Sequence, residues 1–247
     1  MIESLSIWDW SLAVFASFLL GVSKSGLKGI GVIIVTIFAL VFGGKVSTGI
    51  IAPLLLVGDV FAIIYYRRHV QWHYLFKLLP WMIIGVLIGV VVGKDLPEYI
   101  FKKGMAVLIF ISVLIMFWWD YKHVKQVPSN YFFGASMGLL SGIATMIGNL
   151  AGAFANIYFL ALRLPKNHFI GTAAWLFFIV NLFKIPFHVF YWKTINFSTL
   201  QINLLIVPAL IIGLFTGIVL VSKIKDMNFR RIILILTAVG TLFIFFR

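Results

Sequence analysis

Ser23-Lys24-Ser25-Gly26-Leu27-Lys28-Gly29-Ile30-Gly31 separates two short apolar runs, residues 7–22 and 32–42. Its glycines let the chain turn, and its two lysines have no place in an unbroken apolar helix. A related stretch, Ser141-Gly142-Ile143-Ala144-Thr145-Met146-Ile147-Gly148-Asn149, recurs in the second half. How these two breaks are read decides the fold.

The surroundings fix the solvent. The chain of 247 residues is 62% hydrophobic and only 11% charged, whereas soluble domains run closer to about half apolar and a quarter charged. So much apolar surface cannot be hidden in a water-soluble fold of this length, which predicts an all-α polytopic membrane protein in contact with the lipid bilayer. The net charge of +13 resides in short loops between apolar runs, where basic residues set topology, and no basic tail or soluble module points to nucleic acid. Cysteine is absent, which excludes disulfides, thiolate metal sites and cysteine nucleophiles. The start, Met1-Ile2-Glu3 followed by Asp9, lacks a basic n-region, so the first apolar run is expected to be retained.

Apolar runs fall at 7–22, 32–42, 46–66, 73–93, 99–119, 131–147, 149–162, 168–191, 197–222 and 228–246. The longer ones, about 20 residues, suffice to cross a ~30 Å hydrocarbon core. Those flanking the breaks are shorter, which predicts either re-entrant half-helices or short spans.

The chain also repeats itself. Ser17, Gly21, Ser25, Lys28 and Gly31 match Gly134, Gly138, Gly142, Thr145 and Gly148 at an offset of 117. Arg68 to Trp72 match Lys193 to Phe197 at 125, and Gly85, Gly89 and Lys102-Lys103 match Gly213, Gly217 and Arg230-Arg231 at 128. This order predicts two repeats, residues 1–119 and 131–247, joined by a linker at 120–130. Five apolar segments per repeat is an odd number, so the halves should lie inverted in the membrane. With both termini outside, the inner loops carry Lys24, Lys28, Arg67, Arg68, Lys122, Lys125, Arg163, Lys166, Lys223, Lys225, Arg230 and Arg231. The outer side then carries Lys45, Lys94, Lys102, Lys103, Lys193 and Arg247, the asymmetry that the positive-inside rule demands.

Paired short, Gly-interrupted segments are the best sequence pointer to a binding site in a transporter. Free amides at a helix start, with Lys24 and Lys28 adding full charge, suit a small oxyanion around Ser25, Gly26 and Gly29. The second break offers Thr145 and Asn149 around Gly148 as neutral donors. The bland alternative is a capped cytoplasmic hairpin. Asp59 and Lys184 are ionisable residues within long spans, at equivalent positions 125 apart, and each should face protein or water. Lys184, with Asn181 on its face, is expected to attract the anion, and Asp59 to serve proton coupling or gating; a structural salt bridge between Asp59 and Lys184, or with Lys28, is the alternative. His188, on the Lys184 face, is a candidate titrating group, though lone buried histidines usually pack. Arg67 reads first as a topology anchor and second as an inner gate. No nucleophile–base set, cofactor fingerprint or metal-ligand spacing occurs, so no enzymatic activity is expected.

These residues resemble a known family. The order of a Ser-Gly-x-x-Gly-x-Gly break (Ser25 to Gly31), a basic loop Arg67-Arg68-His69-Val70-Gln71-Trp72, and Pro80 with Gly85 and Gly89 is similar to the TauE/SafE sulfite exporter family, also described as toluene-sulfonate uptake permeases. In the second half Ser141-Gly142, Gly171-Thr172, Asn181, and Pro208 with Gly213 and Gly217 carry the likeness. It departs from the family pattern at Gly31-Val32-Ile33, where a glycine run is usual, and in the basicity of Lys24 and Lys28. The resemblance implies a bacterial inner-membrane transporter of sulfite, sulfonates or related carboxylates, working by alternating access and proton-linked. A passive anion channel and a non-transporting subunit of a membrane complex are the alternatives.

Overall fold

The computed structural model describes residues 5–27, 30–101, 103–104, 106–107, 110–111 and 131–224, which are helical with no strand among them. Lys28 and Gly29, the linker 120–130, most of the run 99–119 and the final run 228–246 lie outside the described residues.

Helix α1 (Ile7–Lys24) starts at a capping box: Ser6 Oγ accepts from Asp9 N, and Ser6 N donates to the Asp9 carboxylate. It ends where Gly26 adopts φ 133°, a conformation that suits glycine. Helix α2 (Gly31–Phe42) follows and stops at Gly43, whose φ of 86° reverses the chain within one residue into α3 (Gly44–Tyr66). A 3₁₀ turn (Arg67–His69) leads to α4 (Trp72–Lys94). In the second half, α5 (Tyr131–Gly148) gives way to α6 (Ala151–Ala161) across Asn149 and Leu150. The left-handed residue at that break is Asn149, φ 55°, while Gly148 ends the helix. Asparagine tolerates this region because its side chain bonds locally or to a neighbour, here to the Thr48 carbonyl. Helix α7 (Lys166–Pro186) runs on into a π turn (Phe187–Tyr191), and α8 (Phe197–Ser222) opens on a second capping box at Asn196.

Five of these stretches, Gly44–His69, Trp72–Lys94, Tyr131–Gly148, Lys166–Tyr191 and Phe197–Ser222, are long and apolar enough to cross a bilayer. At 1.5 Å per residue α2 is only about 18 Å long and α6 about 16 Å, too short to cross one. Large apolar side chains on the long helices, among them Ile64, Phe76, Val91, Leu204 and Phe215, are exposed. Bilayer hydrocarbon, not water, is the solvent that tolerates such a surface.

Small residues bring backbones together. On α1, Ser17 Oγ donates to the Ile206 carbonyl at 2.8 Å and Ser25 Oγ to that of Leu214 at 2.6 Å. Between them Gly21 meets Gly213 so closely that a Cβ on Gly21 would sit 2.1 Å from the Leu210 oxygen. Thus α1 and α8 run parallel. Likewise Gly138, Gly142 and Met146 of α5 meet Leu78, Gly85 and Gly89 of α4, also in parallel. Helices α3 and α7 pack antiparallel: Gly49 abuts Thr194, Asp59 bonds Asn181, and Gly171 abuts Tyr66 and His69.

Candidate functional site

The two chain breaks meet around a cavity of about 80 Å³, room for several water molecules and so for an ion of a few heavy atoms. Its walls combine the starts of two helices, Gly31 and Val32 of α2 and Ala151 and Gly152 of α6. First-turn amides have no intrahelical acceptor, and each helix start carries partial positive charge. A Cβ on Gly31 would meet nothing within 4 Å, so the backbone there is open. Polar side chains at the cavity are Ser23, Lys24, Thr145, Asn149, Asn156 and Asn181; Leu20, Val35, Leu55 and Phe177 supply apolar wall.

Behind the cavity lies a buried charge cluster. Lys24 Nζ stands 2.5 Å from Asp59 Oδ1, and Asn181 Nδ2 donates to Asp59 Oδ2 at 2.6 Å. Both carboxylate oxygens are therefore engaged. The Lys24 stem lies across Gly58, where a Cβ would come 2.7 Å from its Cγ, and its ammonium is 5.6 Å from the centre of the Phe177 ring. Lys184, fully buried, donates to the Thr145 carbonyl (3.3 Å), to Thr145 Oγ1 (3.2 Å) and to Asn149 Oδ1. Because Thr145 Oγ1 and Asn149 Oδ1 accept from this cation, and one Asn149 amide hydrogen goes to the Thr48 carbonyl, the Thr145 hydroxyl hydrogen and the second Asn149 amide hydrogen are left to face other partners. One cation thus orients two neutral side chains as donors. In this buried cluster Lys24 and Asp59 close on each other as an ion pair, whereas the Lys184 amine meets only neutral acceptors.

Of the residues singled out from sequence, Lys24, Thr145, Asn149 and Asn181 line the cavity, and Asp59 and Lys184 support it from behind. Ser25 points to α8, Gly26 packs against Ile170 and Val221, and neither these nor Gly148 is in the cavity wall. Asn181 belongs with Asp59, not with Lys184. His188 is buried one turn beyond Lys184, its Nδ1 2.8 Å from Thr194 Oγ1 and its ring edge-on to Trp192. Arg67 is exposed in the 3₁₀ turn, away from the cavity. Lys28 and Gly29 are outside the described residues. Sequence reasoning passed over Asn156, which lines the cavity with its Oδ1 unpartnered and only 7% of the residue exposed. An amide in the middle of the apolar run 149–162, one residue after Ala155, was the available signal. Among the described residues no cluster of three or more His, Asp or Glu could hold a metal.

Apolar helices long enough to span, two short interrupted ones, and a cavity where the two breaks meet mark a multi-pass membrane protein. A family model, sulfite exporter TauE/SafE, matches residues 13–244. The chain belongs to that family. No curated protein and no solved structure matches it.

Proposed function

We propose that the protein is a proton-linked secondary transporter of small anions, either sulfite, sulfonates or related carboxylates, that works by alternating access. The observation that carries this reading is the cavity itself. Two helix starts, a buried lysine and the donors Thr145, Asn149 and Asn181 converge on a space sized for a small oxyanion. Ser23 and Asn156 complete its polar wall.

Alternating access is commonly built on two related halves, and the packing supports an inverted duplication of 1–119 and 131–247 about the linker 120–130. Helices α3 and α7, which hold equivalent places in the two repeats, are antiparallel. The pairs α1/α8 and α5/α4 exchange partners between halves: Gly21 meets Gly213 as Gly142 meets Gly85. This pairing favours an offset of 121 for the opening helices over the 117 suggested by sequence, with 128 retained for α4 and α8. Helix α1 reaches α3 at Asp59, eight residues or about 12 Å before Arg67. Helix α2 then covers about 18 Å back to the start of α3, so the hairpin turns inside the ~30 Å core and is re-entrant. Positive charge favours the cytoplasmic membrane with both termini outside.

The test is flux in proteoliposomes. Purified protein given an inward proton gradient should accumulate a radiolabelled sulfonate or sulfite above its external concentration. Equilibration without accumulation would make it a channel, and no flux of any anion would remove transport altogether.

A further inference from the structure

We propose that Lys184, and not Asp59, is the residue that carries the transported proton, an inference that rests on the anion-transport reading above. Asp59 is poorly placed for the task. Lys24 neutralises one of its oxygens at 2.5 Å and Asn181 occupies the other at 2.6 Å. Protonating it would break a buried ion pair and strand Lys24 as an uncompensated charge.

Lys184 is in the opposite situation. It is fully buried, and all three of its acceptors, the Thr145 carbonyl, Thr145 Oγ1 and Asn149 Oδ1, are neutral. Three acceptors match the three N–H groups of an ammonium, so the charged form is hydrogen-bonded but not neutralised. Among the described residues no carboxylate lies within 4.0 Å of it. The other ionisable groups around it are few. Helices α1 and α3 present Lys24 and Asp59 as a closed pair. Its own helix brings His188, bonded to Thr194. Helix α5 and the break after it bring Thr145 and Asn149, with Tyr131 at the far end of that helix; α6 brings Tyr158 and α8 no ionisable residue, while Lys45 stands at the start of α3 and Tyr65 and Tyr66 at its end. On α4, Tyr74, His73 and Lys77 stand near one end and Lys94 at the other.

The missing counter-charge is the anion. Thr145 and Asn149 touch Lys184 on one side and the cavity on the other. With the cavity empty and Lys184 neutral, the Lys24–Asp59 pair leaves the buried cluster uncharged. With an anion bound and a proton added to the Lys184 amine, the sum is again zero. Either particle alone buries an unbalanced charge, so anion and proton enter and leave together, one for one. The proton comes from water on one side, sits on Nζ during the crossing, and returns to water on the other. A lysine can release its proton in such a setting, and an arginine cannot.

The experiment is calorimetric titration of the full-length protein in lipid nanodiscs with methanesulfonate and with ethanesulfonate, monoanions that remain ionised across the range tested and carry no proton themselves. Buffers of different ionisation heat, from about pH 6 to pH 10, report protons taken up per anion. The wild type should approach one proton per anion at the alkaline end, with affinity falling about tenfold per pH unit there. Lys184→Arg, which keeps the charge, should bind with no proton uptake and no such pH dependence. In proteoliposomes it should equilibrate methanesulfonate but fail to accumulate it on a proton gradient. Lys184→Gln should lose affinity at low pH. Anion binding by the wild type without proton uptake, or uptake persisting in Lys184→Arg, would overturn the role of Lys184 and leave the anion site standing. Wild-type protein that binds neither anion removes the transport reading, and this inference with it.

Discussion

Replacing Lys24 by methionine should destabilise the protein far more than loss of one cavity-lining side chain would suggest. The Lys24–Asp59 pair is 2.5 Å long with side chains 7% and 0% exposed. Removing one partner of such a pair leaves the other as a buried charge, at a cost of about 3–5 kcal/mol. Asp59 would keep only the neutral Asn181 donor. The converse change, Asp59→Asn, is milder. The freed Lys24 borders the cavity and lies 5.6 Å from the Phe177 ring centre, and a desolvated cation–π contact returns about 2 kcal/mol or less. The double variant Lys24→Met/Asp59→Asn has no unpaired charge and should recover most of the loss, giving a coupling energy of about 3 kcal/mol or more. Equilibrium unfolding in mixed micelles measures all four proteins. Additive costs, with coupling below about 1 kcal/mol, would mean that the pair is not formed in the populated state and would refute the reasoning. The double variant also supplies the fair test of anion binding, because Lys24→Met alone confuses a lost ligand with a lost fold.

Other expectations are open to direct measurement. Gly142→Ala places a Cβ 2.1 Å from the Met82 oxygen and 2.8 Å from Gly85 Cα, and should cost about 1–3 kcal/mol through overpacking of α4 on α5. Gly31→Ala meets no atom within 4 Å, so a thermal melt should be unchanged or slightly raised while the added methyl narrows the cavity and weakens anion affinity. Thr145→Val removes a donor that Lys184 orients, and affinity for a sulfonate should drop about tenfold with the melting temperature within a few degrees of the parent. Single cysteines at Arg68 and Lys193, matched positions of the two halves, should react with an impermeant thiol reagent from opposite faces of the membrane; labelling from one face would rule out inversion.

Much of the fold was readable because lipid imposes simple rules. Composition alone gave the membrane class, since the apolar fraction leaves no other solvent. The short runs beside Gly-rich breaks gave the hairpins now seen as α1–α2 and α5–α6. Asp59 and Lys184 stood out because charge inside a span is costly unless used or paired. Partner choice was not readable. Sequence spacing put Asn181 on the Lys184 face, but α7 rotates that amide towards α3, where Asp59 accepts from it. Ser25, read as a ligand, turns to α8 because a hydroxyl one helical turn from Gly21 reaches the carbonyl that close approach brings near. Nothing local in a sequence says which neighbour a small residue will meet.

A shift of one helical turn in the proposed repeat changes which residues correspond. A ladder such as Ser17, Gly21 and Ser25 repeats every four residues, so it aligns with Gly134, Gly138 and Gly142 almost as well one turn along. At 117 Lys28 corresponds to Thr145, and both lysines of the first break belong to the charged half of the site. At 121, the offset that the Gly21–Gly213 and Gly142–Gly85 contacts favour, Lys24 corresponds to Thr145. Each half then joins its first helix to its third at one matched place: Lys24 to Asp59, and Thr145 to Lys184. The first bridge is neutral as a pair; the second becomes positive only when the Lys184 amine takes up a proton. Under the proposed duplication, then, the buried charge that balances a bound anion derives from α7 of the second half, while the basic break in the first half supplies a helix start and a closed ion pair. Anion affinity should accordingly follow the charge at position 184 more closely than that at position 24 once Asp59 is neutralised as well.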